Sequence, residues 1–405
     1  MNVYAAPPRA ITRVTLRLVP LTPIHISDGT DWRPDEYGIE PPDPGGGGYD
    51  EFGEEIEQSR STEPTRLCRF DQRAAMRAMT GAQRHSFAMA LDRGELTGAA
   101  EVLRETGRHH ILERIPLSQA SATDLREALT NPLRGGAVKP FIRSGGLPYI
   151  PGSSVKGAFR TALASAALPR ETRRVDQWQH EAALAAAFGL EAGKTETDPL
   201  RFLSVSDALL PKGATLIDKA EVMKRGDKPE ERRSIQMHYE RTLCLLDDDE
   251  APAFRITLAV DARAASADWI RRKEACFDIP RLLCVLRDFH DKLFHDEDLR
   301  FFEGKTKNLL IQRLGSHLGP KKQPPFTQQV WAPGFILLRL GRFGHFESKS
   351  LEEVRRGHLP QARNPADRIR RPNDWGMTRT VTRDAKGNPI PFGWVIGWRE
   401  DEAHA

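Results

Sequence analysis

Apolar and polar residues alternate from Arg13 into Ile26, with Val14, Leu16 and Leu18 on one face and Thr15, Arg17 and Val19 on the other. A period of two predicts a half-buried strand. The period then lengthens. After Pro151-Gly152, residues Val155, Ala158, Phe159, Ala162, Leu163 and Ala166 follow helical spacing and form one apolar face, with Ser153 or Ser154 as the expected N-cap. An Ala-rich helix is predicted from about Gln179 to Phe188, and a strand over Arg201 to Leu210. Two more strands follow at roughly Ile235 to Leu245 and Phe254 to Val260, separated by the acidic turn Asp247 to Glu250. Ile279 to Phe294 is a strong helix, Phe335 to Leu340 an apolar strand, and Phe392 to Trp398 the last strand. Strands separated by helices, with hairpins between, predict an α+β fold with helices on one face of antiparallel sheets. A ferredoxin-like βαββαβ plan fits this order best.

Two stretches interrupt the pattern. From Trp32 to Thr65 the chain is rich in Pro, Gly and acid, including Pro41-Pro42-Asp43-Pro44 and four glycines, and is expected to be a mobile insertion. Asp71 to Leu133 has short helical pieces, with apolar positions at Met76, Met79, Phe87, Leu91, Val102, Leu103, Ile111 and Leu112. The 405 residues are enough for two cores. The expected division is an N-terminal region of residues 1–210, carrying the flexible and helical insertion at about 32–135, and a C-terminal region of residues 211–405.

Charge narrows the function only locally. The net +4 comes from 60 basic against 56 acidic residues, so any affinity for nucleic acid has to come from patches. Cys68, Cys244, Cys276 and Cys284 form no CxxC pair, which argues against a zinc ribbon or a disulfide scaffold and fits a reducing compartment. With no apolar leader after Met1 and no membrane-spanning run, the expected location is cytoplasmic. No GxxxxGK[ST], GxSxG or strand-borne GxGxxG motif is present.

The cations of the Pro-Gly-Ser helix stand out. Lys156 and Arg160 are four apart in the first turns, where like charges repel each other and oppose the helix dipole. A phosphate at that end would reverse both terms, although solvated basic residues on an ordinary amphipathic helix account equally well for the spacing. In the second motif, Gly341 and Gly344 allow close backbone approach, Arg342, His345 and Lys349 supply donors, and Phe343 and Phe346 can stack on bases. The plain alternative is a tight turn with its aromatics returned to the core. His25, Asp28 and Asp31 follow the first strand, where carboxylates can hold a metal or a histidine act in acid–base chemistry, though Asp28-Gly29 is also a normal turn dipeptide. The His-Asp pairs at 290–291 and 295–296 have the wrong interval for one helical face and read as a solvated helix end. The basic runs Arg355-Arg356 and Arg368 to Arg371 read as solvated loops.

Four segments in order, Leu21-Thr22-Pro23-Ile24-His25-Ile26, the Tyr149 to Leu163 run, Ser204-Val205-Ser206-Asp207-Ala208 and the glycine loop at 341–349, resemble the RAMP superfamily of CRISPR-associated RNA-binding proteins. The opening LTPIHISDG, the late MTRT at Met377 to Thr380 and the closing PFGWVIGW are most similar to the fifth-subunit family of the type III-A Csm effector complex. The resemblance implies an RRM-like architecture. It also implies a guide-RNA-binding structural subunit that caps the 3′ part of the guide RNA, needs no cofactor and does not cleave. Its implied partners are the guide RNA, the repeated backbone subunit and the small helical subunit of the complex, with target RNA nearby; no membrane and no homo-oligomer are expected. Carried over to this chain, Ser153, Ser154, Lys156 and Arg160 would hold phosphate, with Gly341, Arg342, Phe343, Gly344, His345 and Lys349 lining the same groove and Arg379 contributing from the MTRT run. Gly341 and Gly344 are fewer glycines than the superfamily's loop usually carries. The alternative is a metal-dependent endoribonuclease cutting target RNA with Asp28 or Asp31, and a third reading is a guide-processing enzyme using His25.

Overall fold

The computed structural model describes residues 10–41, 64–131, 135–170, 180–191, 193–226, 234–247, 251–310, 326–327, 330–331, 334–354, 376–384 and 386–400. Its main sheet has five antiparallel strands in the order Phe335–Arg339, Trp394–Arg399, Ile11–Pro20, Phe254–Asp261, Leu203–Val205. The helices Gly152–Ala167 and Ile279–Glu297 complete a βαββαβ unit, in which Trp394–Arg399 is the fourth strand and Phe335–Arg339 an added edge. The alternation along the chain decides the faces. Val14, Leu16 and Leu18 point inward with Ile256, Leu258 and Val260, and meet Phe159, Leu163, Leu282 and Leu286 from the two helices in one core. Each such side chain contributes roughly 1.5–3 kcal/mol when fully buried. The α+β, ferredoxin-like expectation holds, with both helices on one face.

A second five-stranded sheet runs Pro389–Pro391, Thr378–Arg383, Thr215–Lys224, Ser234–Thr242, Val138–Lys139. Each large sheet therefore draws strands from both sides of residue 210. The Thr215–Lys224 strand escapes sequence reading for a physical reason. A bulge between Lys219 and Glu221 breaks its period, and Asp218 and Glu221 are buried, held by Arg241 and Arg383.

Several expectations are corrected. Residues 32–41 are not part of a mobile insertion. Trp32 bridges to Val138 and has the guanidiniums of Arg69 and Arg143 5.0 and 5.2 Å from its ring, Tyr37 is buried, and Tyr37–Glu40 pairs with Arg66–Phe70. Aromatic burial outweighs the surrounding Pro and Gly. The remainder of that insertion, 42–63, lies outside the described residues, as do the two basic runs at 355–371. The helical lobe has four helices, Gln72–Ala78, Gly81–Asp92, Leu96–Gly107 and Gln119–Thr130, but Ile111–Pro116 is a strand paired with Arg66–Phe70. The predicted Arg201–Leu210 strand is split. Pro199–Phe202 is a 3-10 turn, Leu203–Val205 joins the main sheet, and Ala208–Leu209 pairs with Leu147–Ile150. Ile235 to Leu245 and Phe254 to Val260 belong to different sheets. Ala166 is exposed, with Ala164 and Ala167 buried in its place. His290 is fully buried rather than solvated. No helix among the described residues is long and apolar enough to cross a membrane.

Candidate nucleic-acid interface

The Pro-Gly-Ser helix starts at Gly152, with Pro151 as its extended N-cap, so neither Ser153 nor Ser154 is the cap. Asp207 accepts the Gly152 N–H at 2.6 Å. A Cβ on Gly152 would sit 2.3 Å from the Val205 carbonyl, so this position must be glycine for the helix to start against the sheet. That placement turns Ser153, Ser154 and Arg160 into a groove. Lys156 instead donates to the Leu203 carbonyl at 2.7 Å and is not in the groove lining. Arg160 pairs with Asp198 at 2.6 Å and lies over the Phe188 ring at 5.2 Å. The two cations that look costly in the sequence thus both have acceptors within the protein.

The opposite wall is the loop after Phe335–Arg339. Gly341 has φ +88°, and a Cβ there would lie 2.5 Å from the His25 carbonyl, which accepts the Arg342 N–H at 2.9 Å. Gly341→Ala should therefore destabilise the protein by roughly 1–3 kcal/mol, read as a lower urea midpoint; an unchanged midpoint would contradict this account. The Arg342 side chain is exposed, and Lys349 donates to the Arg342 carbonyl at 3.2 Å. Desolvation, helped by Arg339 and Arg342, pulls the Lys349 ammonium below the usual lysine range.

Between the walls is a cavity of about 480 Å³. Its lining brings four cations, Arg160, Arg339, Arg342 and Lys349, together with five hydroxyl side chains, Ser27, Ser153, Ser154, Thr161 and Ser348, and contains no carboxylate. Arg160 and Arg339 are already paired with Asp198 and Glu297, so Arg342 and Lys349 carry the unbalanced positive charge that fits the groove for an anion. Ser27, Thr161, Arg339 and Ser348 escape sequence reading. The available signal for Arg339 is a lone cation ending an apolar run.

The other predicted site residues lie elsewhere. Arg379 is buried and donates to Glu297 at 2.6 Å and to Glu347 at 3.1 Å, with Phe301 beneath it at 4.0 Å. Glu297 also accepts from Arg339 at 2.8 Å and from Trp394 Nε1 at 2.9 Å. This buried cluster holds the loop from behind. Phe343 packs among His25, Tyr239 and Phe392 rather than standing free, and a Cβ at Gly344 would meet Ser348 Oγ at 2.8 Å. His345 has φ +54°, and its Nε2 faces the Thr380 N–H at 3.4 Å. Desolvation, aided by Arg339 and Arg379, lowers its pKa to about 3.

His25 is buried. Its Nδ1 is 2.7 Å from the Glu240 carbonyl, and burial lowers its pKa to about 4. Asp28 is exposed and its Oδ1 accepts from the Thr30 N–H at 2.9 Å and the Thr30 hydroxyl at 2.8 Å, with the backbone bond chiefly lowering its pKa. Asp31 is paired with Lys139 at 2.5 Å. Among the described residues, no three His, Cys, Asp or Glu side chains form a group able to hold a metal ion.

Fold and groove together define a class: a ferredoxin-like α+β protein with a cationic, acid-free groove between its first crossover helix and a C-terminal glycine loop. A profile of the RAMP superfamily matches residues 127–337, more than half of the chain, and the chain belongs to that superfamily. Among solved structures, the chain is similar to one in a cryo-EM structure of a Csm–crRNA–target RNA ternary complex of a type III-A CRISPR-Cas system, at 16% identity and a TM-score of 0.58, covering 96% of this chain and 100% of that one. It is also similar to the crystal structure of T. onnurineus Csm5, at 16% identity and a TM-score of 0.48, covering 94% of this chain and 99% of that one. No curated protein matches the chain.

Proposed function

We propose that this RAMP protein is a guide-RNA-binding subunit of a type III-A RNA-guided interference complex, capping the 3′ part of the guide and supporting assembly. The observation that carries this reading is the groove of four cations and five hydroxyls without a carboxylate. Its donors suit phosphate oxygens; they are not arranged as bidentate readers of base edges, so binding is to the backbone with little sequence preference. The fold it shares with a chain from a Csm–crRNA–target RNA complex supports guide RNA, target RNA and other Csm subunits as partners. The role is binding and assembly. The nuclease alternative is not favoured, because Asp28 is committed to its own turn and Asp31 to Lys139.

Arg342 and Lys349 face the groove, and neither has a carboxylate within ion-pair distance among the described residues. The Arg342→Ala/Lys349→Ala double variant should weaken single-stranded RNA binding similarly for all sequences. The slope of log affinity against log salt should flatten by roughly 0.7 for each phosphate that the variant no longer neutralises. Fluorescence anisotropy at several salt concentrations measures both. Unchanged affinity and slope would sink the groove assignment, and a weakening confined to one sequence would refute backbone recognition.

A further inference from the structure

Beyond the groove, one surface carries an arrangement that its own packing does not require. The Arg201 guanidinium lies 4.5 Å from the centre of the Phe202 ring, Arg263 lies 5.0 Å from the same ring, and Arg263 is also 5.3 Å from Trp269. Cation, ring, cation and ring thus alternate. Asp261 fixes Arg263 through hydrogen bonds of 2.9 and 2.6 Å, so this guanidinium acts as a rigid plate. Phe202 is buried at the base, yet Trp269 at the outer end is 50% exposed. Leaving so much indole in water forgoes burial that would otherwise stabilise the fold.

The column is linked to the groove. Arg160 lines the groove and pairs with Asp198; Asp198 caps the Pro199–Phe202 turn by accepting the Leu200 N–H at 2.9 Å; and that turn carries Arg201 and Phe202. We propose that Trp269 is a stacking platform for an unpaired base of a single-stranded RNA that leaves the groove past Arg160. This extension rests on the groove reading. Charge and geometry favour RNA over an apolar protein partner. The exposed Arg201 supplies positive charge for the backbone, and the half-exposed indole beside the fixed Arg263 guanidinium offers a π surface on which a base can stack.

The test uses the full chain and oligoadenylate RNAs of about 5 and about 15 nucleotides, lengths spanning usual single-strand site sizes. Trp269→Ala should weaken the longer RNA by roughly five- to a hundred-fold and leave the shorter one unchanged, and Trp269→Phe, which keeps a π face, should recover most of the affinity. The Arg342→Ala/Lys349→Ala variant should weaken both lengths. If Trp269→Ala binds the longer RNA normally while the double variant fails, the platform is wrong and the groove stands. Equal weakening at both lengths also overturns the platform. Normal binding of both RNAs by the double variant removes the groove reading instead.

Discussion

Replacing Glu297 with Ala should cost roughly 3–5 kcal/mol of stability, the usual penalty for leaving buried charges without their partner. Glu297 is 1% exposed and accepts hydrogen bonds from Arg339, Arg379 and Trp394, which reach it from three strands. Removing it leaves two buried guanidiniums facing each other with Glu347 as the nearer remaining carboxylate. Glu297 has its pKa lowered although desolvation acts in the opposite direction, because Arg339 and Arg379 together outweigh burial. Its contribution is present above the ordinary glutamate range and is lost as pH falls through the lower folded value. Urea unfolding followed by near-ultraviolet circular dichroism reports the change. Glu297→Gln, which keeps an acceptor for Trp394 but no charge, should fall between wild type and Ala. RNA affinity should decline as well, since the cluster backs the loop that presents Arg342 and Lys349 to the groove. A midpoint within about 0.5 kcal/mol of wild type would show that the cluster does not hold the loop.

That cluster also marks the limit of sequence reading. The strands Ile11–Pro20 and Phe254–Asp261 and the helices at 152 and 279 are legible because one face is apolar and the period is clean, although the first strand stops at Pro20 rather than running to Ile26. Arg379 reads as a ligand-binding residue because a cation in a late motif looks like one, whereas Glu297, which determines its place, is 82 residues away. The same limit applies to Lys156 and Arg160. Helix electrostatics flags both as unusual, but the Leu203 carbonyl and Asp198 that accept their charge come from a distant turn and strand. The two walls of the groove are each visible in the sequence, as a Pro-Gly-Ser start and a glycine turn. What positions the glycine wall is the His25 carbonyl lying against Gly341, a backbone approach with no side-chain signature.

Mild acid should destabilise this protein before its carboxylates titrate. His25, His238 and His290 are all buried, and desolvation lowers their pKa values from 6.5 to about 4, about 4 and about 3. The charges that act on them include Arg342 and Lys139 on His25, Asp124, Lys219 and Asp218 around His238, and Arg339 on His290. All three stay neutral in the folded protein, while the unfolded chain takes up protons as pH drops below about 6.5. The unfolded state then binds more protons, so stability rises with pH in this window. The contribution is fully present above the unfolded value and is lost progressively toward the folded ones. Between the unfolded and folded values each such histidine removes up to about 1.4 kcal/mol per pH unit, and His345, lowered in the same way, adds to the effect. Urea midpoints measured from pH 7.5 to 5 should fall steeply, and a flat profile would refute the assignment. His290→Leu isolates one part of the effect. Among the described residues neither His290 ring nitrogen has a hydrogen-bond partner, and the ring lies edge-on to Phe289 and Trp394, so an apolar replacement breaks none of their bonds and removes a buried polar group. That variant should be at least as stable as wild type at pH 7.5 and should show a smaller acid slope.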